Sequence, residues 1–288
     1  MVKGIKVKKP IRLISILLVI LVIIHSNPIV ASKQSQQLTQ DKFNLYLRKA
    51  YYQNNDQLAD SLIRNHRLFV KPFVNELIKE ILRKELNGDS EESSQIMVVA
   101  KKTSARFEKI FGERSLSIGV NYLTTWSKEE KEDKLAADSL YDLGTSIRGI
   151  EEEKKKAIGY YQKALDIYRN IGDERGEAEV LGGLGLIYWG LDYETSLSYY
   201  QDALTKREKV DDRQLTGNSL NSIGAVYSSF LKDHEKAIDY FERAEVLRSE
   251  IGDLLNLNRT LSNKAQAYLR VGEYLNNNGW FLRLMKTC

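Results

Sequence analysis

The chain has 288 residues, 28% charged and 42% hydrophobic, which excludes a polytopic membrane protein and a disordered polymer and suits one or two packed domains. The formal charge is +4, but five cations, Lys3, Lys6, Lys8, Lys9 and Arg12, cluster ahead of one apolar run. Without residues 1–32, 38 basic side chains face 39 acidic ones, so a nucleic-acid partner has no electrostatic basis. The prolines, Pro10, Pro28 and Pro72, all lie in the first quarter, and nothing beyond them forbids uninterrupted helix.

Residues 1–32 have the plan of a secretory signal peptide: basic start, apolar core Leu13–Ile24, Pro28, and small residues Val30 and Ser32 flanking Ala31. Twelve apolar residues at about 1.5 Å each cover about 18 Å, short of a hydrocarbon core of about 30 Å. The expectation is cleavage after Ser32, a membrane encounter only in transit, and an exported protein, periplasmic or secreted. An uncleaved anchor is the weaker alternative. The sole cysteine, Cys288, is not at the cleavage point and leaves no intramolecular disulfide.

Residues 33–134 read as an N-terminal helical cap. Leu58, Leu62, His66, Phe69, Phe73, Leu77 and Ile81 form one stripe, bent or restarted at Pro72, and Ile96, Ala100, Thr103, Phe107 and Ile110 form another. Ser127 and Glu130 then make a capping box.

Residues 135–274 are periodic. Ala157, Tyr161 and Ala164 recur as Ser196, Tyr200 and Ala203 and as Ala237, Phe241 and Ala244. Leu143-Gly144 recurs as Leu184-Gly185, Ile223-Gly224 and Lys264-Ala265, so two motifs keep one period of about forty residues. Small residues flanking a ring on one helix, opposite a mid-helix glycine on another, describe a closely packed helical hairpin. The turns at Gly172-Asp173, Asp211-Asp212 and Gly252-Asp253 combine a left-handed position with a helix-capping aspartate. Residues 275–288 break the pattern and read as a degenerate or truncated segment.

These motifs resemble the tetratricopeptide repeat, with two departures. The period exceeds the usual 34 or so residues, and Gly-Asp replaces a terminal proline. Ile171 to Ala178 is similar to a longer bacterial variant often found ahead of CHAT peptidase or histidine-kinase effector domains. The expected fold is therefore all-α, a helical-hairpin repeat solenoid with an N-terminal helical cap.

The resemblance implies a concave groove lined by first helices. It places Tyr141, Arg148, Trp189, Asn218, Asn221, Arg259, Gln266 and Arg270 on or beside that face. Asparagine amides and arginine forks suit a peptide backbone or carboxylate. The expected function is a non-catalytic scaffold or adaptor holding a protein or extended peptide, without cofactor or metal. The alternative is the sensory or regulatory part of a longer protein. No nucleophile or phosphate loop accompanies His66 or His234, both expected to be packing residues, and Asp211-Asp212 and Glu151–Glu153 read as solvated helix ends.

Overall fold

A computed structural model describes residues 38–277, where every regular element is a helix. The expected leader 1–32 and residues 278–288, with Trp280 and Cys288, lie outside the described residues. The chain forms two compact units, Gln36–Ser219 and a second beginning at Leu220.

The first unit opens with α1 (Gln40–Tyr52), α2 (Asp56–Asn65), α3 (Arg67–Leu86), α4 (Ser90–Phe111) and α5 (Ser115–Thr125). The break expected at Pro72 falls at His66, while Pro72 lies inside α3. Packing holds that corner: the His66 ring stacks on Phe69 at 6.0 Å and meets Phe43 edge-on at 6.2 Å. The break also shifts the apolar phase. Phe73, Leu77 and Ile81 are buried as expected, but Leu58 is exposed and α2 buries Ala59 and Ile63 instead. In α4, Ala100, Thr103 and Phe107 are buried as their spacing predicts.

The repeats begin with α6 (Lys128–Ile147). The expected capping box is present, the Ser127 amide donating to Glu130 Oε2 at 2.6 Å and the Glu130 amide to Ser127 Oγ at 3.2 Å. There follow α7 (Lys154–Asn170), α8 (Glu174–Tyr188), α9 (Tyr193–Lys209) and α10 (Arg213–Val226), whose last residues enter the second unit. That unit continues with α11 (His234–Ile251) and α12 (Leu254–Asn277). His234 opens α11, its Nδ1 3.3 Å from Ser228 Oγ.

The ring-and-glycine motif is the contact within each hairpin. A Cβ at Gly144 would stand 2.8 Å from the Tyr161 ring, one at Gly185 2.6 Å from Tyr200, and one at Gly224 2.8 Å from Phe241. Between hairpins, Gly172 and Gly252 take the left-handed conformation, with φ of 69° and 72°. Asp211 holds the equivalent position at 55°, and its Oδ2 accepts from the Arg114 amide at 2.9 Å.

The N-terminal helices pack against several repeats at once. On successive turns of α3, Lys71 reaches Asp212 Oδ1 at 2.6 Å, Asn75 Oδ1 accepts from Arg175 at 3.0 Å, and Lys79 reaches Asp142 at 3.1 Å. Helix α3 thus touches α6, the first turn of α8 and the cap of α10. This corrects the expectation that Asp211-Asp212 is a solvated helix end: Asp212 is buried, and its Oδ1 also caps the Leu215 amide. Lys71 Nζ is shared with Glu113 Oε1 at 2.5 Å, and Arg67 holds Glu113 Oε2 at 2.6 Å.

Two outcomes are expected. Replacing Gly185 with alanine gains up to about 1 kcal/mol of helix propensity but drives a methyl into the Tyr200 ring. Net destabilisation of about 1–3 kcal/mol in urea unfolding is expected. Lys71→Ala leaves two buried carboxylates short of a cation and should cost about 3–5 kcal/mol. Burial alone would raise the Asp212 pKa, but Lys71 and the Leu215 amide hold it below the ordinary carboxylate value of 3.8. The stability from that pairing is therefore complete at neutral pH and lost as pH falls through the depressed value. The gap between wild type and Lys71→Ala should narrow in acid, read from urea midpoints across pH.

Candidate functional site

In the first unit the inner-face positions of α6 and α8 meet two different environments. Arg148, just past α6, and Trp189, just past α8, line one open cleft of about 460 Å³ together with Thr145, Ser146, Lys154 and Leu186. Leu186 is 49% exposed. Arg148 Nη1 donates to Tyr161 Oη at 3.4 Å, and that oxygen lies 3.0 Å from Thr145 Oγ1, so the arginine is tethered to the hairpin's central ring. Lys154 pairs with Glu151 at 2.5 Å across the 3-10 turn Glu151–Glu153. Two cations therefore stand beside an indole and an exposed leucine, a surface suited to a carboxylate flanked by an apolar side chain.

Tyr141 belongs elsewhere. It is half-buried, packs on Tyr161 with ring centroids 5.6 Å apart, and forms a wall of a smaller cavity of about 130 Å³ between α3, α5, α6 and α8. Burial and the nearby Glu179 push its phenol up to about 12, so it stays neutral at physiological pH. Gly182, another inner-face position, is covered by Arg207 of α9: a Cβ there would meet Nη2 at 2.4 Å. Arg207 is buried, and burial lowers its pKa. It donates to Ser219 Oγ at 2.5 Å, Leu215 O at 3.3 Å and Ala178 O at 3.2 Å. Asn218, in the same unit, is half-buried on α10.

In the second unit Asn221 is only 6% exposed, and its Oδ1 accepts from Asn263 at 3.2 Å, which joins α10 to α12. It serves the helix contact and presents little surface to a guest. Arg259, Gln266 and Arg270 are all exposed on α12. Arg248 of α11 repeats the Arg207 arrangement: Nη1 donates to Asn256 O at 2.6 Å and to Thr260 Oγ1, and burial pushes its pKa down to about 10.

Sequence reasoning missed Asn75, Lys134, Arg175 and Glu179, all lining the smaller cavity. Gly119 was the available signal, a mid-helix glycine whose Cβ would stand 1.9 Å from Arg175 Nη1.

The ring-and-glycine hairpins agree with a family-model match described as tetratricopeptide repeat, over residues 135–209 and 190–250. Residues 135–250 are tetratricopeptide repeats. No curated protein sequence gives a significant match. Among solved structures, BtubC (BKLC) from P. vanneervenii is similar with TM-score 0.39 and 16% identity, over 75% of this chain and 93% of that one. A signal transduction ATPase with numerous domains, carrying a tetratricopeptide repeat sensor, from Pyrococcus horikoshii is similar with TM-score 0.42 and 20% identity. That likeness covers 91% of this chain and 44% of the other. Tetratricopeptide repeats suggest a protein-interaction scaffold.

Proposed function

We propose that the protein is an exported, non-catalytic adaptor that binds an extended peptide segment of a partner protein through its first-helix face. The observation that carries this reading is the open cleft holding Arg148 and Lys154 beside Trp189 and Leu186. Its chemistry selects a segment with a carboxylate next to a large apolar residue, the acid held by the two cations and the apolar group lying on the indole and leucine. Arg259, Gln266 and Arg270 on α12 add exposed polar anchors in the second unit. The non-catalytic part is supported by the described histidines, His66 packed among aromatic rings and His234 at the start of α11. Export rests on the basic and apolar order of residues 1–32; among the described residues no helix is long and apolar enough to cross a membrane.

A random peptide library selected on the chain 33–288 should return sequences pairing Asp, Glu or a free C-terminus with an aromatic or large aliphatic residue. Arg148→Ala with Trp189→Ala should weaken the selected peptides by at least about tenfold, or about 1.4 kcal/mol. Peptides without an acidic group, or unaffected by the double variant, refute the cleft as the site. For export, the processed protein should begin at Lys33 by N-terminal sequencing; an intact Met1 in the cell fraction refutes cleavage.

A further inference from the structure

The smaller cavity combines three cations with four carboxylates, and most of these neutralise one another. Lys79 pairs with Asp142 at 3.1 Å, and Lys134 with Asp138 at 2.6 Å and Asp173 at 3.1 Å. Arg175 and Glu179 remain. They are four residues apart on α8, a spacing at which opposite charges commonly meet. Here they do not: the Arg175 guanidinium lies over Gly119 and donates to the neutral Asn75, and Glu179 makes no hydrogen bond or ion pair among the described residues. A separated cation and anion thus line one small cavity, with Tyr122, Trp126 and Tyr141 as its aromatic wall.

We propose that this cavity is a binding site for a small α-amino acid, whose carboxylate pairs with Arg175, whose ammonium pairs with Glu179, and whose side chain packs on the aromatic wall. The volume is consistent with this guest. A cavity of about 150 Å³ accommodates benzene, so the roughly 130 Å³ here suits the six to eight or so non-hydrogen atoms of alanine, serine, proline or valine. A guanidinium fork and an ammonium acceptor are also the two groups a zwitterion needs, and a simple amine or acid would leave one unused. Stability gives no reason to keep Glu179. Burial raises its pKa, with Asp138 and Asp212 adding to the rise and Arg175 and Lys134 only partly opposing it, so the folded chain disfavours its charged form until a cation arrives. The site lies under α3 and shares no lining residue with the cleft of Arg148 and Trp189, so it is independent of peptide binding.

The test is calorimetric titration and thermal unfolding of the chain 33–288 with each small α-amino acid up to about 10 mM, where a ligand bound at about 100 μM would raise the melting temperature measurably. At least one should bind. The amine and the acid made by deleting one charged group from that ligand, isobutylamine and isovalerate in the case of valine, should each bind at least about tenfold more weakly. Glu179→Gln should melt above the wild type when free, which shows that it folds, and should lose at least about tenfold in affinity. Arg175→Gln should lose affinity likewise. Absence of binding by every small amino acid, equal binding of either half-ligand, or undiminished binding by Glu179→Gln overturns the proposal.

Discussion

The Lys71 side chain is largely buried, its ammonium shared between a carboxylate from the α4–α5 connection and one that caps α10. Such a group is tolerable only with its charge matched, and Arg67 on the other oxygen of Glu113 completes the set at two cations and two anions. Ser115 donates to Glu113 as well, at 2.8 Å, so the carboxylate is held from several sides. Because the partners come from segments far apart in the chain, this arrangement fixes the position of α3 against the repeats. Asn75 and Lys79 then fall opposite Arg175 and Asp142.

That placement divides the first-helix surface of the larger unit. Tyr141 ends up beneath α3, in a small cavity, while Arg148 and Trp189 lie outside it around an open cleft. Two sites of different size and chemistry result from one inserted helix. The cleft is lined by Arg148, Lys154, Leu186 and Trp189, and the cavity by Arg175, Glu179 and three aromatic rings.

Large polar side chains contribute to the repeats in a way their pattern does not announce. Arg207 and Arg248 are buried at corresponding positions, each reaching the carbonyl eight residues on and the hydroxyl twelve residues on. Each guanidinium joins the second helix of one repeat to the first helix of the next through a backbone carbonyl and a hydroxyl, while the buried Nε of each makes no hydrogen bond among the described residues. The same contact covers Gly182.

The sequence by itself determined the helical class, the hairpin period and the turn positions, because these depend on local spacing: a ring four residues after a small one, a glycine opposite it, an aspartate after a left-handed residue. It also placed the capping box at Ser127. Arg259, Gln266 and Arg270, which the family resemblance put on or beside a groove, are exposed on α12. The tertiary structure decided what local spacing does not encode. It put the helix break at His66, where Phe43 from another helix packs on the ring. It buried Asp212, which reads as solvent-facing until Lys71 arrives from 141 residues away. It committed Asn221 to Asn263, enclosed Tyr141, and kept Arg175 and Glu179 apart although their spacing favours a pair. The physical reason is common to all of these: the partner that fixes each side chain's role lies on another helix, and only folding brings it within hydrogen-bonding or van der Waals reach.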